Sequence, residues 1–418
     1  MTTPLQPPPR KDPQKRTTSP TAPPGARSRA ALGLTAAAAE GRFRLQTCAD
    51  CGEIQYPPRD VCVRCLGPRL PWRDVDPRGV LLAETTVRTS PRLYFRERAP
   101  WRLGAVRLDA GPVVTAHVLD ACPGRSRVIL LNRLDRAGRG VLIAAPEERT
   151  PDMEDEPQLR AMSSNPKHRR VLIVDGRAEN APALADAMIE AGASTVFIGE
   201  AETWRPYPGR DVLAAKPGVE MLPLDVTDAS SVRRMAGEIG GKVDILINNA
   251  RFFRPGGATT RGEAGHAREE MEVNYFGLLR LSQAFGPAMC GRTADGVNAA
   301  AAWVNILSIH ALAPAPALGG LSASQAAAHS LSLTLRAEFR GAGLRVMNVF
   351  TGPTDDAWHQ PSPPPKVTAT ALARDVARGL IEGLEDVYCG DAARDLIERL
   401  RRDPKVLELE LTQAEDGP

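Results

Sequence analysis

Cys48, Cys51, Cys62 and Cys65 stand in the pattern C-x2-C-x10-C-x2-C. Two such knuckles bring four thiolates to the corners of a tetrahedron, the donor set that zinc takes in structural sites. Four sulfurs close the coordination sphere and leave no position for a water, so the expected zinc is structural: it organises a lobe too small to build a core of its own. A redox dithiol would need a single CxxC at a strand-to-helix turn. Cys122, Cys290 and Cys389 are scattered, which fits a metal site in a reducing compartment and not a disulfide framework.

The elements that must position this site follow from composition and periodicity. The chain has 418 residues, 43% of them apolar, enough for two or three domains with real cores. Its 53 basic and 50 acidic side chains are interspersed and leave a net charge of +3, so no extended field is built to capture nucleic acid or a membrane. No stretch approaches the roughly 20 apolar residues of a membrane span, and no compact apolar core marks a signal peptide; a cytoplasmic location is expected. Residues 1–35, rich in Pro, Ser, Thr and basic side chains, have the composition of a disordered tail.

Between Arg78 and Ala144, β-rich runs such as "GVLLAETTV", "WRLGAVRLDA" and "PVVTAHVLD" alternate with Pro-, Gly- and Arg-containing turns, which predicts a small barrel of about five strands. The acidic, Pro-rich segment after it is aperiodic. The expected boundaries are 36–147 for ribbon and barrel, 148–168 for a linker, 169–409 for a second domain and 410–418 for a short tail. From "RVLIVDG" onward, apolar strands alternate with helices, predicted over 181–191, 228–239 and 266–285 and again from "GGLSASQAAAHS"; this is the pattern of an α/β doubly wound parallel sheet.

Two resemblances give these elements families. "GRFRLQTCADCGEIQYPPRDVCVRC", followed by "APWRLGAVRLDAGP", resembles the zinc-ribbon plus OB-fold family once catalogued as DUF35, over roughly Leu34 to Glu148. Members of that family are partners of thiolase-like enzymes, or of acyl-CoA hydratases and aldolases, and are thought to help hold acyl-CoA. From Arg169 to about Leu409 the chain resembles the short-chain dehydrogenase/reductase family, with a Rossmann-like fold. That resemblance implies an adenine contact for Asp225 in "LPLDVTD", cofactor contacts for Asn248, Asn249 and Ala250 in "VDILINNA", and two positions of the catalytic tetrad for Asn274 in "NYFG" and Ser308 in "VNILSIH". Glu200 stands roughly where an acidic residue would meet an NAD ribose, with a surface carboxylate as the equal alternative, and Asp356 stands where a Thr often meets the nicotinamide amide.

The rest of that family's chemistry is missing. Counting from Ser308, the tetrad Tyr falls on Leu321 and the Lys on Gln325; no tyrosine lies between Tyr275 and Tyr388 and no lysine between Lys242 and Lys366. Reducing a carbonyl requires a proton donor at the nascent alkoxide, and neither Leu nor an uncharged Gln can supply or activate one. His310 and His329 are the nearby titratable groups, and packing roles are expected of both. The glycine-rich first turn is reduced to Gly176, followed by Arg177, the one cation left to meet a phosphate. Asp175 and Glu179 would set carboxylates beside phosphate charge, while Asn180 as N-cap and Pro182 in the first turn make an ordinary helix start.

The expected function is accordingly a non-catalytic accessory or scaffolding subunit of an acyl-CoA-metabolising complex. A thiolase-like or other acyl-CoA enzyme would dock on the zinc-ribbon/OB part, and an intact short-chain dehydrogenase, or a second copy, would pair with the pseudo-dehydrogenase domain. Zinc is the expected cofactor and NAD(P) is not; acyl-CoA is an expected ligand, and nucleic acid and membrane are not expected partners. The alternative is an NAD(P)-dependent oxidoreductase acting on a 3-hydroxyacyl-CoA or 3-oxoacyl-CoA with a non-standard acid.

Overall fold

The computed structural model describes residues 6–7, 22–23, 28–96, 98–148, 152–292, 299–360 and 364–413. Most of the expected tail lies outside the described residues, but its boundary at residue 35 falls inside a helix. Helix α1 (Leu32–Ala39) buries Leu34, Ala37 and Ala38. Its alanines lose no side-chain entropy on becoming helical, and strands 127–134 and 140–146 of the barrel cover its apolar side.

The ribbon is a three-stranded antiparallel sheet of β1 (Arg44–Thr47), β2 (Ile54–Gln55) and β3 (Trp72–Asp74), in the order β2-β1-β3. The barrel comprises β4 (Arg78–Val87), β5 (Trp101–Leu108), β6 (Val113–Val118), β7 (Arg127–Leu134) and β8 (Gly140–Pro146), with a short helix α2 (Leu93–Arg96) between β4 and β5. Neighbours run β4-β5-β6-β8-β7 and β7 returns to β4, so the sheet is closed. Closure comes from the parallel pairing of β6 with β8, His117 opposite Ile143. Alternate side chains of β5, β6 and β7 point inward around Leu81, Val106, Val118 and Ile143, which removes open edges and gives the barrel its own core.

The expected linker is partly helical: α3 (Pro157–Met162) buries Leu159, and Pro157 supplies the fixed φ of a first helical position. Beyond it, β9 (Arg170–Ile173), β10 (Thr195–Glu200), β11 (Val219–Pro223), β12 (Ile245–Asn248), β13 (Ala302–Ser308), β14 (Arg345–Thr351) and β15 (Asp386–Cys389) form an all-parallel sheet in the order β11-β10-β9-β12-β13-β14-β15. The central strands are buried on both faces, which is why they read as unbroken apolar runs. Helices α4 (Ala181–Glu190), α5 (Arg210–Ala214) and α10 (Ala369–Glu382) cover one face. The other is covered by α6 (Ala229–Ile239), α8 (Leu278–Cys290), α9 (Gly319–Arg340) and α11 (Asp391–Arg402). Helix α7 (Gly265–Met271) leads through a π-helical turn, Glu272–Gly277, into α8. A last helix, α12 (Pro404–Gln413), occupies the start of the expected C-terminal tail.

The barrel docks on the N-terminal ends of the strands. Asn132 Nδ2 donates to the carbonyls of Leu34 (3.0 Å) and Arg42 (3.2 Å), fastening α1 to β7. Helix α1 in turn offers the Ala39 carbonyl to the Glu385 N–H at 3.0 Å, just before β15. Arg345, first residue of β14, donates to the carbonyls of Leu134 and Met162 at 3.2 Å each, and to that of Gly383. One buried guanidinium thus ties barrel, α3 and sheet together. The C-terminal strand ends, where a doubly wound sheet binds its ligands, face away from the barrel.

Candidate functional site

The four sulfurs of Cys48, Cys51, Cys62 and Cys65 all lie within 4.8 Å of one another. Cys48 Sγ is 3.5 Å from Cys65 Sγ, and Cys51 Sγ is 3.6 Å from Cys62 Sγ. A tetrahedral zinc with bonds of about 2.3 Å sets its sulfurs about 3.8 Å apart, so the thiolates fit the ion. The knuckles are held by short backbone links: the Leu66 N–H donates to the Cys62 carbonyl at 3.1 Å, and the Cys62 N–H to the Gly67 carbonyl at 2.9 Å. The Gln46 and Gln55 side chains, both buried, bond each other at 3.0 Å and pin the Arg59 and Val63 N–H groups beneath the site.

At the C-terminal ends of the parallel strands, Ser308 closes β13 and is buried. Gln325, one turn after Leu321 on α9, turns its amide inward: Oε1 accepts the Ser308 backbone N–H at 3.0 Å. Leu321 is 1% exposed and has no polar atom in its side chain. Asn274 lies in the π-helical turn; its Nδ2 donates to the Phe252 carbonyl (2.8 Å) and Ser324 Oγ (2.9 Å), and its Oδ1 accepts the Phe252 N–H (2.9 Å). Ser308 Oγ accepts the His310 N–H at 3.2 Å, and His310 Nδ1 lies 3.0 Å from the Ala313 carbonyl oxygen. Burial holds His310 below the usual imidazole range, so near neutral pH it is an uncharged packed ring. His329 sits edge-on to Phe350, ring centroids 5.2 Å apart.

The adjoining cleft, about 460 Å³, lies between the loops after β9, β12 and β14. Its polar groups are tied to one another. Asp175 is buried, which raises its carboxyl pKa, and its Oδ1 accepts the Arg177 N–H at 2.9 Å. The Arg177 guanidinium donates to the carbonyls of Ala201, Glu202 and Arg205 at 3.1 to 3.4 Å. Asn180 makes no side-chain cap; its Oδ1 accepts from Asn249 Nδ2 at 3.0 Å, so the expected capping bond gives way to one between loops. Glu179 Oε1 accepts the Ala357 N–H at 3.1 Å, crossing the cleft from the β9 loop to the β14 loop. Arg251 Nη2 donates to Thr354 Oγ1 (3.0 Å) and Asp356 Oδ2 (3.1 Å), and Asp356 Oδ1 is 2.8 Å from His359 Nδ1. Burial alone would raise the Asp356 carboxyl; the bonds from His359 and Thr354 and the Arg251 charge override it and hold the group well below the usual carboxylate range.

The family model described as "short chain dehydrogenase" matches residues 171–365. A solved short chain dehydrogenase from Burkholderia cenocepacia, in complex with NADP, is 30% identical with a TM-score of 0.52, and the match covers 58% of this chain and 97% of that one. The chain belongs to the short-chain dehydrogenase family. Ahead of this dehydrogenase domain, the models "ChsH2, rubredoxin-like zinc ribbon domain" and "ChsH2, C-terminal OB-fold domain" match residues 35–71 and 72–130. The dehydrogenase domain is also 32% identical to the short-chain dehydrogenase ptmH of Penicillium ochrochloron, over 44% of this chain and 65% of that protein. It is 30% identical to an uncharacterized oxidoreductase of Mycobacterium bovis, over 44% of this chain and 54% of that protein. The chain thus spans less than two thirds of the length of these curated relatives.

In this dehydrogenase domain the residues singled out by sequence fall into two groups. Asn248 and Ser308 lie at the C-terminal ends of neighbouring strands β12 and β13, Gln325 bonds the Ser308 N–H, and Asn274 bonds Ser324 on the same helix as Gln325. Asn248 Oδ1 is buried there without a hydrogen-bond partner among the described residues. Ala250 packs beside the core of the α6–α9 face, and Asp225 accepts from the Thr227 N–H (2.8 Å) and hydroxyl (2.7 Å), closing a turn. Gly176 serves close packing: a Cβ there would lie 2.5 Å from Ile198 Cγ2. Glu200, expected near a ribose, is 3% exposed and paired with Arg210 at 2.5 Å. Sequence reasoning missed the roles of Ser324, Arg251 and His359. Arg251 and His359 are marked by no spacing; Ser324 alone stood inside a recognised motif, as the Ser of the Y-x-A-S-K pattern that falls on Leu321 to Gln325.

Proposed function

We propose that the chain is a non-catalytic accessory subunit of an acyl-CoA-metabolising complex. The observation that carries this reading is the state of the tetrad positions. Leu321 can give no proton, and Gln325 spends its amide on the Ser308 backbone, so no acid stands ready for a nascent alkoxide. The cleft supports it too. A dinucleotide's pyrophosphate would meet the Asp175 and Glu179 carboxylates and the ring of Pro182, while the Glu179–Ala357 and Arg251–Asp356 bonds span the space it would enter. These residues do not fit NAD(P).

In this role the ribbon and barrel dock a thiolase-like or other acyl-CoA enzyme, and the dehydrogenase domain pairs through α9. Ala323, Ala326 and Ser330 lie exposed along one side of that helix, with Leu333 44% and Phe276 41% exposed nearby. Small side chains there let a facing helix approach closely. Sedimentation of the wild type and of Ala326→Arg tests the pairing, and co-purification with a thiolase at native expression tests the docking; a monomeric chain that retains neither partner overturns the proposal. A second reading, NAD(P)-dependent oxidoreduction of a 3-hydroxyacyl-CoA or 3-oxoacyl-CoA, draws support from the NADP held by the Burkholderia relative. Calorimetry with millimolar NADPH and NADH separates the two: absence of heat disposes of the second, and saturable binding with turnover disposes of the first.

A further inference from the structure

A cleft of about 500 Å³ opens between the barrel and α3, at the end of the molecule remote from Ser308. Its walls are apolar: Tyr94, Phe95 and Trp101 on the barrel side, Val141 at the base, and Ala161 and Met162 from α3. The three rings form one contiguous wall, with centroids 5.1 Å apart for Tyr94–Phe95 and 5.3 Å for Phe95–Trp101. The polar lining is chiefly basic. Arg139 makes no side-chain ion pair among the described residues, and Arg98 lies with Cζ 3.9 Å over the Tyr94 ring, likewise without a carboxylate partner among them. The one acid of the lining, Asp135, is spent on its own turn, accepting the Ala137 N–H (2.8 Å) and the Arg139 N–H (3.0 Å).

The junction behind this cleft carries further positive charge. Burial lowers the pKa of Arg136, and burial likewise lowers that of Arg345, to about 10, with the Glu385 carboxylate opposing the shift and the Arg136 charge adding to it. Two lining guanidinium groups, Arg98 and Arg139, without carboxylate partners among the described residues suit an anion, and an aromatic wall of this size takes an apolar body. Helix α3, in the segment joining the two domains, supplies Pro157, Gln158, Ala161 and Met162 to the lining, so the cleft as it stands needs both the barrel and the joining segment.

We propose that the cleft binds an anionic amphiphile: a carboxylic acid with an aliphatic or ring body, its carboxylate toward Arg98 and Arg139 and its body against Phe95, Trp101 and Met162. This is independent of whether the dehydrogenase domain retains activity. The test is calorimetric titration of the full chain with dodecanoate and with dodecanol. One saturable site for dodecanoate is expected, weakened at least about 10-fold in dodecanol and in the Arg98→Gln/Arg139→Gln double variant, as the loss of charge-assisted hydrogen bonds requires. Met162→Trp, which fills the cleft, should abolish binding while zinc content and melting temperature stay at wild-type values. If Met162→Trp fails to fold, the arginine double variant decides. Absence of saturable binding, equal affinity for the alcohol, or dodecanoate binding unchanged in the arginine variant overturns the proposal.

Discussion

At the scale of single residues, Leu321 and Gln325, which fall on the expected tetrad positions, are buried and packed into the domain. Gln325 shows this most directly, because its amide satisfies a backbone N–H that is otherwise buried. Gln325→Ala should therefore lower stability by about 2 kcal/mol, the cost of leaving such a group unpaired, in urea unfolding followed by circular dichroism. Restoring family residues with Leu321→Tyr/Gln325→Lys should give no NADPH-dependent reduction of an acetoacetyl thioester, since the cleft remains bridged; measurable turnover would show that the tetrad alone had been limiting. Asp356 is the other test. Its carboxyl and the Arg251 guanidinium are 11% and 15% exposed, so Asp356→Ala strands a buried cation and should cost about 3 kcal/mol at pH 7. Because the folded pKa of Asp356 lies below its ordinary value of 3.8, its stabilisation is present above that value and is lost as pH falls through the folded pKa. The difference between wild type and variant should hold from pH 7 to about 5 and shrink progressively as pH falls below about 4 toward the folded pKa.

Among secondary-structure elements, those that bury one kind of surface were legible and those that depend on a neighbour were not. The apolar runs of β9, β12 and β13 read as strands because both faces of the sheet are covered, and Asp228 caps α6 as its position suggests, accepting the Ser230 N–H at 2.8 Å. Asn180 stood in the same kind of position, yet Asn249, 69 residues away, takes its oxygen. Helix α1 comes after a tail-like composition and gains its stability from the barrel, so local sequence carried no sign of it. Helix α3 begins at Pro157, which signals an ending when read alone and a beginning when read together with Gln158, Leu159 and Arg160. Of the candidate site, the cysteines were fully legible, because metal spacing is local; the Glu179–Ala357 bridge joins residues 178 apart and was not. The ribbon strands are two to four residues long and cannot persist without the metal. Chelation, or Cys62→Ser, should abolish hydrogen-exchange protection across residues 44–74 and leave that of β9–β15 intact.

For the whole molecule, the decisive contact is the one between domains. Arg345, first residue of β14, holds the carbonyls of Leu134 in the barrel, Met162 in α3 and Gly383 at the end of α10, so Arg345→Ala should split a single thermal transition into two and open the α3 segment to limited proteolysis, with each domain keeping its own secondary structure. The barrel covers strand ends that carry no chemistry, which leaves the ribbon knuckles, the α9 stripe and the dehydrogenase cleft all facing outward. A joint made this way is stiff. For partners carried on the two domains, stiffness sets a fixed separation in place of the broad distribution that a flexible tether allows, so the effective concentration of one active site at the other depends on geometry and barely on the length of chain between them. Lengthening the α3 segment with glycines would then change the coupled rate abruptly, whereas in a tethered pair the same insertion would change it little.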